Sequence, residues 1–218
     1  MSSMIQTPTR SRRMAAEDRR AQILEVTKEI VGECGFHAVT IEAVARRAGV
    51  SRPVIYEHFG DLTGLLDALV DLFSHDALAQ LAAVLPRALD AESPRSTLVG
   101  ALGGYLEVAQ ADPVTWGLVL MPAEGAPPAV SERIAAGRRD VVAQLAAAVA
   151  PGFVAGRPVP DPELVAHLLV TGAEELVRMV LTDPVTHPPD RVLAHANWVL
   201  GHFEPESHAP AGAPSEAE

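Results

Sequence analysis

The sequence predicts an all-α protein in two parts, a small three-helix unit followed by a larger helical unit. Apolar residues recur at three- and four-residue spacing through most of the 218 residues, with no strand-like alternation of useful length. Prolines and glycines divide the helical stretches, and a hydrophobic content of 48% is enough to bury one large core or two small ones.

Ile23, Val26, Ile30, Val31 and Cys34 form a stripe that predicts a first helix ending at Gly35, with the Cys34 thiol packed as a small hydrophobe. Thr40 caps a second helix whose apolar positions Ile41, Val44, Ala45 and Ala48 give it one buried face. Gly49 stops that helix, because the residue past a helix end often takes a positive φ, and Val50 plugs the gap. Ser51 is expected to cap the third helix, Pro53 is tolerated in its first turn, and Val54, Ile55 and Phe59 anchor it. Arg52, Tyr56, Glu57 and His58 are left pointing outward. Two short helices around a glycine turn, the second opening with polar and basic residues, make a helix-turn-helix, whose second helix enters the DNA major groove by its N-terminal residues. An ordinary helical hairpin is the competing reading, and the supporting first helix argues against it.

The run RRAQILEVTKEIVGECGFHAVTIEAVARRAGVSRPVIYEHFGD, Arg19 to Asp61, resembles the N-terminal domain of the tetracycline-repressor (TetR) family of transcriptional regulators. Gly35-Phe36, the Thr40 cap, Ala48-Gly49-Val50-Ser51 and Tyr56-x-His58-Phe59 carry the resemblance, over about a fifth of the chain. It implies phosphate contacts for Thr40 and Tyr56, base or groove contacts for Arg52 and Pro53, and a backbone or core role for His58. Leu62 follows the cap Asp61 where family members usually place a phosphate-binding lysine, a departure from the family pattern.

The overall charge of −11 divides unevenly. Residues 1–60 hold nine Lys/Arg against seven Asp/Glu, and residues 61–218 hold eight against twenty-one. Arg10, Arg12, Arg13, Arg19 and Arg20 are expected to form a flexible arm, with Arg12 and Arg13 as candidates for the minor groove; a solvated leader without contact is the other reading. Arg46, Arg47, Ser51 and Arg52 bracket the turn and join the candidate DNA contacts. The predicted boundaries are a basic arm at 1–15, the DNA-binding domain at 16–60, a helical effector-binding and dimerisation domain at 61–204, and a disordered tail at 205–218. The expected location is cytoplasmic: no signal peptide is visible, and the longest apolar stretch, Val141 to Ala150, is far short of a membrane span.

Beyond Gly60, Asp61 opens a long helix rich in Leu, Val and Phe that Pro86 ends, and Ser93-Pro94, Asp112-Pro113 and Asp161-Pro162 each place a cap before a first-turn proline. Further helices are expected near 130–150, over 162–182 and from about Pro189 to His202. The last two carry wide apolar surfaces, and reading two half-sites requires a two-fold dimer, so Leu168, Leu169, Leu176, Val192, Ala196 and Val199 are expected at a four-helix dimer interface. The TetR resemblance implies the same pairing; packing within the chain accounts for part of this surface as well.

Phe73, His75, Tyr105, Glu107, Trp116, Met121 and Glu174 bring aromatic faces or hydrogen bonds into apolar settings and are the candidate ligand contacts, each equally readable as core. Gly103-Gly104 inside a helix either permits close packing or leaves room for a ligand beside Tyr105, and Glu174 and Arg178 read as a solvated i, i+4 pair. No catalytic signature appears, and no cofactor or metal is expected, since His195 and His202 lack a third ligand. The expected function, with the mechanism implied by the resemblance, is a homodimeric repressor released from a pseudo-palindromic operator in double-stranded DNA by a small-molecule effector. An effector-independent architectural protein and a helical enzyme with an appended DNA domain are the rivals.

Overall fold

A computed structural model of the chain describes residues 15–90, 92–121, 128–152 and 158–202. They form nine α-helices and no strand: α1 (Ala16–Cys34), α2 (Ile41–Ala48), α3 (Arg52–Phe59), α4 (Leu62–Val84), α5 (Pro94–Ala111), α6 (Pro113–Leu120), α7 (Pro128–Val149), α8 (Pro162–Thr182) and α9 (Pro189–Gly201). The expected arm with Arg12 and Arg13, the expected tail, and most of the two proline-rich loops lie outside the described residues.

Local chemistry sets the helix starts. The Thr40 Oγ1 accepts from the Ala43 N–H at 3.0 Å, and Asp61 accepts from Gly64, Asp112 from Thr115 and Asp161 from Leu164 in the same way. Two expected caps are not made. Ser51 sits at the N-cap of α3 without a side-chain hydrogen bond, and the Ser93 hydroxyl lies 2.6 Å from that of Ser96 instead. At Gly49 the backbone is left-handed, with φ 66° and ψ 33°, as a stop between two tightly connected helices requires.

Contacts divide the chain into Met1–Leu69 and Val70–Glu218, with the division inside α4 rather than at Gly60. The first two turns of α4 belong to the N-terminal unit, where Leu65 and Leu69 are fully buried beside a core containing Ile23, Val44 and Ile55. Cys34 is exposed, a correction to its expected burial: α1 ends there, the chain turns at Gly35, and Phe36 is the buried residue. Arg19 and Arg20 are also not part of a flexible arm, since both lie within α1.

In the C-terminal unit α7 lies along α8, and α5 packs on α6, α8 and α9. One cluster gathers Leu102, Tyr105, Leu106, Trp116, Val177 and Val192, and a second gathers Leu98, Val142, Leu145, Val149 and Ala166. Gly104 resolves the two readings of the glycine pair. A Cβ there would come within 2.8 Å of Val84 Cγ1, so the glycine serves close helix approach.

Candidate DNA-binding surface and helical cavity

The buried residues of α3, Ile55 and Phe59, fix which of its faces is inward. Arg52, Pro53 and Tyr56 are exposed on the opposite side, Tyr56 at 48%, and Ser51, Thr40 and Arg46 are exposed beside the turn. These are six of the residues expected to meet DNA. His58 is half-buried on α3 near Phe59.

Arginines of this unit are held by protein groups, Arg19 among them through Gln22 Oε1 at 2.6 Å. The Arg20 guanidinium lies 4.4 Å from the Phe59 ring centroid and donates to the His58 carbonyl at 2.7 Å, clamping the end of α3 to α1. Arg47 pairs with Glu33 through two hydrogen bonds of 2.6 Å and with Glu29 at 3.1 Å, which ties α2 to α1. The Glu33 hydrogen bond pushes the Arg47 pKa up, and the same bond lowers that of Glu33. Arg52 meets Glu42 at 2.9 Å, with both side chains more than half exposed. Arg47 is thus a structural tie, whereas Arg52 keeps an exposed guanidinium on the first turn of α3.

The C-terminal unit encloses a cavity of about 700 Å³ with a largely apolar lining drawn from α4, α5, α6, α7, α8 and α9. Of the expected ligand contacts, Tyr105, Trp116 and Glu174 line it and Phe73 and Met121 do not. Phe73 is fully buried in the packed interior, and Met121 sits at the end of α6 against the first cluster. His75 and Glu107 are exposed and also absent from the lining. Tyr105 and Trp116 meet edge to face at 4.8 Å, and the Trp116 Nε1–H donates to Gln80 Oε1 at 2.9 Å.

Glu174 is not the solvated partner of Arg178. Its carboxylate meets Arg138 at 2.9 Å, and burial raises its pKa against the lowering effect of Arg138 and Arg178. Arg178 turns instead to Glu175 and to the Leu120 carbonyl at 3.3 Å. Burial, followed by the nearby Glu174 charge, pushes the Tyr105 phenol pKa well up. Arg133, Gly137 and Arg138 of α7 and Ser74 and Leu78 of α4 also line the cavity and were missed in the sequence. A signal was available: Ile134, Gly137, Arg138, Val141 and Leu145 form one helical stripe with an arginine inside it.

The expected interface residues divide. Leu168 is 66% exposed and Val199 39%, with Leu164 and Trp198 also exposed. Val192 is buried in the chain's own first cluster and is not available to a partner; Leu176 and Ala196 pack against that cluster and Leu169 against the second. Trp198 is flanked by the rings of His195 and His202. Among the described residues no group of three or more His, Cys, Asp and Glu could hold a metal, and no helix is long and apolar enough to cross a membrane.

The fold and the exposed face of α3 define the class: an all-helical protein with an N-terminal helix-turn-helix domain. Residues 23–69 match the model of the bacterial regulatory proteins of the tetR family, so the N-terminal domain is similar to the DNA-binding domain of that family. The HTH-type transcriptional regulator BetI of Serratia proteamaculans is 39% identical over 93 residues, covering 42% of this chain and 46% of that protein. BetI of Escherichia coli is 40% identical over 95 residues, 42% of this chain and 47% of that one. The matched stretch therefore spans about half the length of these relatives. Among solved structures, a TetR-like transcriptional regulator from a Rhodococcus species superposes with TM-score 0.68 at 22% identity, over 88% of this chain and 100% of the other. A tetR-family regulator from Streptomyces coelicolor gives 0.65 at 21%, over 87% and 82%. At such identity the likeness is one of fold.

Proposed function

We propose that the protein is a DNA-binding transcriptional regulator, a homodimer that holds a pseudo-palindromic operator through α3 and is released by a small molecule in the C-terminal cavity. The observation that carries the DNA-binding part is the face of α3 itself: Arg52, Pro53 and Tyr56 stand exposed on its first turns while Ile55 and Phe59 anchor it. Support for the family role comes from the match over residues 23–69 and from relatives named as transcriptional regulators. No catalytic role is assigned, and a cytoplasmic setting suits an operator binder.

Phosphate contacts from Thr40 and Tyr56 would set the register, and Arg52 would read a base edge. The cavity supports an amphipathic effector, with an apolar body against the Leu and Val walls and a polar group near Tyr105, Glu174 and Arg138. Helix α4 runs unbroken from one unit into the other, so a shift imposed by ligand on its later turns would reach the DNA-binding unit and alter the separation of the two recognition helices. An effector acts only by its differential affinity for the two states; a coupling of about 1–3 kcal/mol changes DNA affinity roughly 5- to 150-fold.

The test compares substitutions on specific and random duplexes by fluorescence anisotropy. Thr40→Val and Tyr56→Phe are expected to weaken both alike, and Arg52→Ala to cost about 1–3 kcal/mol on the operator while relaxing the preference at one base pair. Arg47→Gln is expected to leave the base preference intact. Equal losses on specific and random DNA for Arg52→Ala would remove its base-reading role.

A further inference from the structure

Two hydrogen-bonding atoms in the wall of the cavity have nothing to bond. The Ser74 hydroxyl on α4 and the Arg138 Nε–H on α7 are both buried without a partner, and both residues line the void. Ser74 departs from the chain's own habit, since Thr27, Thr171 and Thr182 each donate to the carbonyl four residues back in their helices. Arg138 uses its Nη2 on the Thr171 hydroxyl at 2.8 Å and on Glu174 at 2.9 Å, which leaves the Nε–H over. One contact between helices carries both atoms: Leu78, a turn after Ser74, would meet a Cβ on Gly137, the neighbour of Arg138, at 2.9 Å. A buried donor without an acceptor is costly, so two of them beside one void point to an acceptor supplied from outside the chain.

Charge narrows the kind of acceptor. Arg133, Arg138 and Arg178 line the cavity against Glu174 and Glu175, and the buried Glu174 feels both Arg138 and Arg178. We propose that the effector carries a carboxylate at one end of an apolar body, and that this carboxylate accepts from the Arg138 Nε–H and the Ser74 hydroxyl. The inference rests on the effector role of the cavity proposed above and adds the head group that the cavity selects. An alcohol reaches the same two donors only through a neutral oxygen, without the charge that strengthens the bond to a guanidinium. An ammonium meets donors where it needs acceptors, and the Glu174 carboxylate is already paired with Arg138. Burial raises the Glu174 pKa, which lessens the cost of a second carboxylate beside it.

Decanoate, decanol and decylamine share one chain and differ only at the head, and near neutral pH the first is an anion and the last a cation. Each is titrated into the full chain as a competitor of Nile red, an uncharged apolar dye that reports the cavity. The parent is expected to bind decanoate at least about tenfold more tightly than either of the others. Ser74→Ala removes a hydroxyl that bonds nothing in the protein, so Tm and Nile red affinity should match the parent while the preference for decanoate falls about threefold or more. Arg138→Lys keeps a cation for Glu174 but removes the Nε–H, and should lose most of the preference. Equal affinity for the three heads overturns the proposal, and is the result expected if water alone satisfies the two donors. Tightest binding of decylamine also overturns it, as does a preference for decanoate that survives Ser74→Ala or Arg138→Lys intact. Should Arg138→Lys lose its helical circular dichroism, Ser74→Ala alone decides. If the parent binds neither the dye nor any of the three, the effector reading of the cavity fails and the proposal falls with it; dye binding without a preference for decanoate sinks the proposal alone.

Discussion

The two units solve opposite packing problems. In the N-terminal unit, α2 and α3 have eight residues each, and the core closes with Ile23, Val44, Ile55 and Leu65 fully buried. Arg52, Pro53 and Tyr56, proposed above to meet DNA, stand exposed outside it. In the C-terminal unit, helices of up to 22 residues surround a void of about 700 Å³, and the polar groups Tyr105, Glu174 and Arg138 line it. A tight interior holds a surface rigid enough to read DNA, whereas an unfilled interior leaves the walls contacts still to gain, which is what a ligand can use.

Removing the central wall is expected to have the largest effect. Trp116 is 1% exposed and its indole N–H is bonded to Gln80, so Trp116→Ala should destabilise the C-terminal unit by about 3–5 kcal/mol and strand the Gln80 acceptor. Urea unfolding followed by circular dichroism measures it; a loss below about 1 kcal/mol would mean the walls are not held as described.

Enlarging a small residue in each unit sharpens the comparison. Ala45 is 6% exposed in the closed core, and Ala45→Leu should cost about 1–3 kcal/mol by overpacking. Ala101 lines the void, and Ala101→Leu should be neutral or stabilising while weakening Nile red binding. Equal costs for the two changes would erase the distinction drawn between the units.

The smallest effect appears only in alkali. Burial and the Glu174 charge raise the Tyr105 pKa above its ordinary value of 10.0. Above pH 10 the unfolded chain therefore loses a proton that the folded chain keeps, so the folded state binds more protons and stability falls as pH rises. Tyr105→Phe removes this loss. The difference in Tm between parent and variant should be constant below pH 9 and move in the variant's favour by about pH 11; parallel profiles throughout would show that the phenol titrates in both states alike.

The N-terminal unit was legible because its determinants are local. A cap at Thr40, a turn at Gly49 and a first-turn proline at Pro53 act within a few residues of where they stand, and the helices follow. Even here the partners of Arg20 and Arg47 were hidden, since His58 is 38 residues away from the first and Glu33 is 14 from the second. In the C-terminal unit the helix boundaries were readable from Asp-Pro and Ser-Pro starts, but the direction of each wall was not. Glu174 and Arg178 have surface-pair spacing, and only the approach of α7 gives Glu174 to Arg138, while Arg178 pairs with Glu175 on its own helix. Phe73 and Tyr105 are both buried aromatics, and which of them borders a void depends on how six helices close around it.

The central claim, that exposed residues on α3 read a two-fold DNA site, is tested most directly by selecting bound duplexes from a random pool with the full-length protein. The account predicts enrichment of a pseudo-palindrome whose half-sites lie about 10 base pairs apart, centre to centre, or a multiple of that spacing. It also predicts that the Arg52→Ala protein loses the preference at one position in each half. A pool that remains random after repeated rounds, or a motif unchanged by Arg52→Ala, would contradict it.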